Sequence, residues 1–348
     1  MTDVAVVTVF LRHRGEVLLL RRSEDVGSYP GRWGTVAGHV EHDAPRASAL
    51  DEIDEETGLA EQEVHLAREG PSFTVEDEDR GTRWTVHPFL FDADTREVTL
   101  NWETAEAEWT APTALLRRDT VPELWTSYRR VAPSTVAIAE DTSHGSAYLS
   151  LRALEVLRDR AGLLATRDVP DIEDARVRLV ETARRLLEAR PSMAALANRI
   201  HRTMHASPPD WTPASLETTA HEVLKRALDA DAETARRAAD AIAGERVLTL
   251  SRSGTVLAAL RQADPAPTVV VAESRPGREG IGVAEALADA DLEVTVIPDA
   301  ACATTLADDA IDRVLVGADT IRPSGAVVNK VGTRGLALAA AHEDVPFY

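Results

Sequence analysis

The sequence predicts an α/β protein in three parts: a mixed sheet with a helix, then a helical layer, then a parallel sheet. Three observations predict this. Residues 1–118 alternate strand-like runs with one acidic helix. Residues 145–243 carry apolar positions at helical spacing. From residue 246, short apolar runs alternate with helical stretches.

Taken in order, "VAVVTVFL" and "EVLLLRR" read as strands separated by the turn "RHRG". "PRASALDEIDEETG" reads as a helix, with Pro45 in its first turn and Gly58 at its stop. "TRWTVHPFLFD" and "REVTL" are expected to return to strands. The helical layer follows, from "AYLSLRALEVLRDRAGLLA" to "LETTAHEVLKRALDADAETARRAADAIA". The runs "RVLTLS", "TVVVAES", "LEVTVIPD" and "DRVLVGAD" then imply βαβ units and a Rossmann-like parallel sheet. The expected boundaries are 1–135 for the first domain, 143–243 for the helical subdomain and 244–348 for the Rossmann-like subdomain. A chain of 348 residues suits about two domains.

Composition narrows the function. There are 58 acidic against 38 basic residues, a formal charge of −20. Only Lys225 and Lys330 are lysines; the other basic residues are arginine. This is the surface expected of a salt-adapted, archaeal, cytoplasmic protein, because high salt screens the self-repulsion. It argues against nucleic acid as a partner. The lone Cys302 excludes an internal disulfide and suits a reducing compartment. No apolar run reaches the ~20 residues of a membrane span.

Within that acidic background, Asp51, Glu52, Asp54, Glu55 and Glu56 crowd together with only Ile53 between them. On a helix, Glu52, Glu55 and Glu56 stand at i, i+3 and i+4 and share a face. One reading is a solvated acidic face. The other is a site for a hard divalent cation such as Mg²⁺ or Mn²⁺, which takes oxygen ligands.

"GHVEHDAPRASALDEIDEETGL", residues 38–59, resembles the signature of the Nudix hydrolases. Glu52, Ile53, Glu55, Glu56, Gly58 and Leu59 match its tail. "GRWGTVAGHVE" and "NWETAEAEW" resemble segments before and after it. The resemblance covers about the first third of the chain. It implies an α/β/α sandwich with a mixed sheet, and metal-dependent hydrolysis of a nucleoside diphosphate derivative by Glu52, Glu55 and Glu56. Two positions depart from the pattern. The family arginine is Asp51 here, and Asp43 or Glu41 is the nearest substitute for the family's first glutamate.

"ESRPGREGIG", "ARPSMAALAN" and "VGADTIRPSGAVVNKVGTRGLALAAAHEDVPFY" resemble a second family, from about residue 143 onward. It is the superfamily of the initiation factor two-B α, β and δ subunits, ribose-1,5-bisphosphate isomerase and methylthioribose-1-phosphate isomerase. "SRSGT" follows a buried strand and opens a helix, a place where free backbone N–H groups meet an anion. The candidate phosphate or sugar contacts are His144, Arg190, Ser251, Arg252, Ser253, Gly254, Arg275, Asn329 and Lys330. The resemblance implies a catalytic aspartate at Asp319 and a catalytic cysteine at the position of Ser251. A serine hydroxyl is a far weaker acid than a thiol, so isomerase chemistry is expected to be lost while phosphate binding is kept. The resemblance also implies a homodimer or larger assembly through this domain.

Three functions stay open on these residues. The first is a Mg²⁺-dependent hydrolase with a sugar-phosphate or nucleotide-binding second domain. The second is a regulatory protein that binds such ligands without turnover, as Asp51 and Ser251 favour. The third is an isomerase with Ser251 in place of cysteine.

Overall fold

The structure is a computed structural model and describes residues 1–42, 44–166, 172–308 and 311–348. The chain divides into two compact units. The first comprises Met1–Thr135, Leu154–Arg184 and Thr203–Lys225; the second comprises Val136–Ala153, Arg185–Arg202 and Arg226–Tyr348.

The first unit is built on strands β1 (Thr2–His13), β2 (Glu16–Arg22), β3 (Trp33–Gly34) and β4 (Val36–His39), helix α1 (Pro45–Thr57), then β5 (Val64–Glu69), β6 (Phe73–Asp77), β7 (Thr82–Ala93) and β8 (Thr104–Thr110). The sheet is mixed. β1 runs parallel to β7, with Val6 opposite Val86, and antiparallel to β4, with Val7 opposite Gly38. β8 adds to β2, so β8, β2, β1 and β7 follow in that order.

Alternation along β1 explains the two cores. Val7, Val9 and Leu11 face α1 through Ala49 and Ile53, whereas Phe10 faces Leu124, Tyr128 and Val131 of α2 (Leu124–Val131). Each fully buried Val, Leu or Phe contributes about 1.5–3 kcal/mol. Pro45 stands in the first turn of α1, and Gly58, at φ +69°, caps its end through an N–H to the Asp54 carbonyl. Arg96–Leu100, expected as a strand, is not one. Its backbone is used elsewhere: Trp109 donates its indole N–H to the Arg96 carbonyl at 3.2 Å, and the Thr99 N–H donates to the Thr57 carbonyl at 2.7 Å.

Helices α3 (Thr135–Glu140), α4 (Ser146–Thr166), α5 (Ile172–Ala189), α6 (Ala194–Ala206) and α7 (Pro213–Ile242) form the helical layer. Within the first unit, α4 brings a buried ionic cluster to the sheet. Arg12 holds Asp92 through two bonds of 2.6 and 2.8 Å and Glu155 at 3.3 Å; Arg158 holds Asp159 at 2.8 Å and the Gly15 carbonyl at 2.6 Å. Tyr128 donates to Asp159 at 2.8 Å.

The second unit ends in the parallel sheet. Its strands are β9 (Arg246–Leu250), β10 (Thr268–Ala272), β11 (Val294–Ile297) and β12 (Arg313–Val314), in the order β11-β10-β9-β12. Helices α8 (Gly254–Gln262), α9 (Glu279–Ala288), α10 (Cys302–Ala307) and α11 (Thr333–His342) flank it, and a small hairpin of β13 (Thr320–Ile321) and β14 (Val327–Val328) precedes α11. The crossovers from β9 to β10 and β11 go one way, and β12 lies on the other side of β9. This is a topological switch point, where ligands of such sheets bind. Cys302 is buried at the start of α10.

Candidate functional sites

The first unit holds a cavity of about 740 Å³. Glu52 and Glu55 line it from α1, Glu103 from the turn before β8, and Arg22 from the end of β2. Glu52 reaches the cavity by lying over β4. A Cβ on Gly38 would fall 1.5 Å from its Oε1, so any other residue there would make the carboxylate move aside.

Glu56 behaves differently from the expectation that all three glutamates share one open face. It is only 5% exposed, sits with Ile53 and Thr57 on the buried side of α1, and accepts the Ala37 N–H at 3.0 Å. It does not line the cavity. The reason is the helical turn of about 100° per residue, which carries Glu56 from Glu55 toward the core.

Like charge outweighs the nearby arginines at Glu52. Burial, then Glu55, Glu103, Glu41 and Asp51, push Glu52 up to about 7. Burial also pushes Glu56 up to about 8; Glu52 and Glu103 add to this, and the Ala37 N–H and Arg22 oppose it. Glu103 was not singled out in the sequence, because a lone glutamate in a turn gives no periodic signal. Asp43 lies outside the described residues. Among the described residues, no group of three or more His, Cys, Asp or Glu side chains is arranged to hold a metal ion. The donor chemistry still suits one: hard oxygen ligands with uncompensated charge.

The second unit holds a cavity of about 730 Å³ at the switch point. His144, Ser251, Arg252, Ser253, Gly254, Asp319, Asn329 and Lys330 all line it. Ser253 caps α8 by accepting the Val256 N–H at 3.3 Å. Gly317 passes so near that a Cβ would fall 2.8 Å from the Ser253 Oγ. Ser251 lies in the left-handed region, φ +64°, and donates its N–H to Ser274 Oγ at 2.6 Å. Among the described residues its hydroxyl has no hydrogen-bond partner.

Two expected contacts do not reach this cavity. Arg190 donates from Nε to the Ile138 carbonyl at 2.8 Å and from a terminal nitrogen to the Asp141 carbonyl, which fixes it as a loop tie. Arg275 turns out to solvent and pairs with Glu273 at 2.7 Å. Charged lining residues that the sequence did not point to are Glu279, Arg199, Asp231 and Arg237. Arg199 and Asp231 pair through two 2.9 Å contacts, and Glu279 pairs with Lys330. Burial pushes Glu279 up, but the Lys330 ammonium, its own backbone N–H and Arg252 together hold the carboxyl below its ordinary range. His144 bonds Asp141 at 2.7 Å and stacks on Tyr148, with ring centroids 4.0 Å apart.

No helix among the described residues is long and apolar enough to cross a membrane. Comparison with known proteins places two consecutive segments of the chain. The profile of the Initiation factor 2 subunit family matches residues 142–348, and that of the NUDIX domain matches residues 1–131. A methylthioribose-1-phosphate isomerase of Gemmatimonas aurantiaca is 40% identical over 50% of this chain and 55% of its own. A ribose 1,5-bisphosphate isomerase of Haloferax volcanii is 32% identical over 58% of this chain and 63% of its own. The chain thus spans less than two thirds of the length of these relatives. Among solved structures, a Pyrococcus horikoshii translation initiation factor eIF-2B matches with TM-score 0.53 and 30% identity, over 62% of this chain and 75% of that one. The chain belongs to the Initiation factor 2 subunit family, and it carries a NUDIX domain ahead of the segment that places it there.

Proposed function

We propose that the NUDIX domain is a divalent-metal-dependent hydrolase of a nucleoside diphosphate derivative. The observation that carries this is that Glu52, Glu55 and Glu103 line one cavity, where burial and neighbouring carboxylates push Glu52 up to about 7. These three would hold Mg²⁺ or Mn²⁺, and such an ion would supply a Lewis-acidic centre for a phosphate chain. Arg22, tied to the Ser28 carbonyl at 2.8 Å, offers a fixed positive charge to the same chain. Glu56, poised near 8, exchanges a proton close to neutral pH.

The second cavity binds a sugar phosphate or nucleotide without isomerising it. The α8 N-terminus, Arg252 and Lys330 supply anion contacts, whereas the Ser251 hydroxyl has no base to activate it. Association into a homodimer or larger assembly through this unit is part of the reading; light scattering at molar salt tests it, and a monomer refutes it.

A regulatory binding protein is the second reading. Exposed Asp51, which stands where the family resemblance puts an arginine, favours it. A screen of nucleoside diphosphate derivatives at high salt separates the two. Hydrolysis that needs Mg²⁺ and stops with EDTA supports the enzyme; binding without hydrolysis of any compound supports the regulator.

A further inference from the structure

We propose that Tyr29 is a positioning residue of the first cavity: it latches the loop of residues 23–32 to the β6–β7 turn and thereby holds Arg22 where a phosphate chain would lie. The inference rests on the hydrolase reading and adds to it the device that fixes the cation of that site.

The loop joins β2 to β3 and walls the cavity with Val26, Gly27, Ser28 and Tyr29. Backbone bonds tie its root. The Arg22 N–H donates to the Arg32 carbonyl at 2.9 Å, the Gly31 N–H to the Arg22 carbonyl at 3.1 Å, and the Ser23 N–H to the Glu103 carbonyl at 2.7 Å. Side chains hold its middle. Val26 is buried. The Tyr29 phenol donates to Asp77. Arg80 donates to the Gly27 carbonyl at 3.1 Å, and its guanidinium lies 4.7 Å from the centre of the Tyr29 ring. Asp77 also accepts the Arg80 N–H at 3.1 Å. Asp77 closes β6 and pairs with Thr82 at the start of β7, so the anchor belongs to a hydrogen-bonded hairpin.

Two further observations single out Tyr29. Its backbone lies in the left-handed region, φ +49°, which a bulky residue enters only where its surroundings hold it there. Burial, then Asp77, push its phenol up to about 12, with Trp84 and Arg80 opposing, so it remains a donor near neutral pH.

Arg22 hangs on this latch. Its Nε donates to the Ser28 carbonyl at 2.8 Å, and a terminal nitrogen donates to the Ser28 Oγ at 3.3 Å. Ser28 is the residue before Tyr29. Among the described residues the guanidinium has no other hydrogen-bond partner. It lines the cavity with Glu52, Glu55 and Glu103, and its charge is felt at Glu56. A loop that lifts off Asp77 carries Ser28 away, and Arg22 loses both contacts. A freed arginine regains rotamer freedom that a ligand must then remove.

The test follows the loop and the ligand separately, on the full chain. Amide hydrogen exchange on the free protein reads the loop. Tyr29→Phe keeps the ring and loses the donor, so the amides of residues 27–32 should exchange about tenfold faster, the scale of a lost hydrogen bond to a charged group. Asp77→Ala should do the same, and Asp77→Asn, which keeps an acceptor, should largely spare the loop. Calorimetry with α,β-methylene-ADP in excess Mg²⁺ reads the site, since the methylene bridge resists hydrolysis. Tyr29→Phe should weaken binding about tenfold, because only the latched fraction is competent. In an Arg22→Ala background the same change should weaken it less than about twofold, because the two residues act as one unit. Thermal melts confirm that each variant folds. Loop exchange that Tyr29→Phe leaves unchanged, or an affinity loss that persists in full without Arg22, overturns the inference alone. No binding by the parent overturns it together with the hydrolase reading. Coupling through Arg22 with no Mg²⁺-dependent hydrolysis of any nucleoside diphosphate derivative overturns the hydrolase reading and leaves the latch standing.

Discussion

The two cavities are nearly equal in volume and opposite in electrostatics. In the first, like charges gather: Glu52, Glu55 and Glu103 face one space, and Glu52 and Glu56 are pushed up to about 7 and 8. In the second, unlike charges pair: Lys330 with Glu279 and Arg199 with Asp231. The first site stores repulsion that a cation relieves. The second is close to neutral, and on the proposed reading a phosphate would bind by drawing Lys330 away from Glu279. A ligand's sign can therefore be read from which charges a cavity leaves unbalanced.

The largest effect is expected at Glu56. Glu56→Gln keeps an oxygen to accept the Ala37 N–H and removes the carboxylate's charge. We expect kcat to fall at least about a hundredfold, the scale of a lost acid–base group. Stability at pH 8 should hold or rise. Loss of activity with a lowered melting temperature would instead make Glu56 a structural residue.

The comparison also predicts opposite pH responses. Glu52 and Glu56 have folded values above their unfolded ones, so the folded state binds more protons. Their contribution is full below about pH 4.5 and is lost as pH rises toward 8. In EDTA, the melting temperature should drop by roughly 5–10 °C between pH 5 and 8, with Mg²⁺ reducing the drop. Glu279 has a lowered value, so its contribution is present above about pH 4.5 and is lost as pH falls below that. Glu56→Gln should remove part of the alkaline loss, and Glu279→Gln part of the acid loss. If both variants track the parent across pH, the contrast between the cavities fails.

Lys330→Ala sharpens the second half of the comparison. It deletes a charge-assisted contact and leaves Glu279 unpaired beside the ligand. Affinity for ribose phosphates or AMP should fall by about 10- to 100-fold by calorimetry. An unchanged affinity would mean that the anion does not sit at this end of the cavity.

Much of this was legible in the sequence because local rules carried it. Pro45 and Gly58 bounded α1, and alternation with helices announced the parallel strands. Backbone rules brought Ser251–Gly254, Asp319 and Lys330 to one place, since residues at the carboxyl ends of parallel strands converge. What was not legible depends on side-chain direction. Glu56 follows the spacing rule for one face yet turns into the core. Arg190 and Arg275 have the expected chemistry, but a loop carbonyl and Glu273 claim them first. Glu103 and Glu279 come from segments whose role depends on partners 51 residues away in each case, Glu52 for one and Lys330 for the other. "REVTL" has the alternation of a strand, but Thr57 and Trp109 occupy the groups a ladder would need.

The smallest effect is expected at Ser251, the residue whose identity departs most from the isomerase pattern. Its N–H, not its hydroxyl, is the group in use, donating to Ser274 Oγ at 2.6 Å. Ser251→Ala keeps that N–H. It does face the left-handed backbone region at φ +64°, which costs an alanine little more than a serine. Ligand affinity should therefore change by less than about threefold, the low end of what one neutral hydrogen bond contributes. Neither the parent nor the variant should convert ribose-1,5-bisphosphate to the ketose. Conversion by the parent that Ser251→Ala abolishes would show a base reaching the hydroxyl when ligand is bound, and the second cavity would then be a catalytic centre.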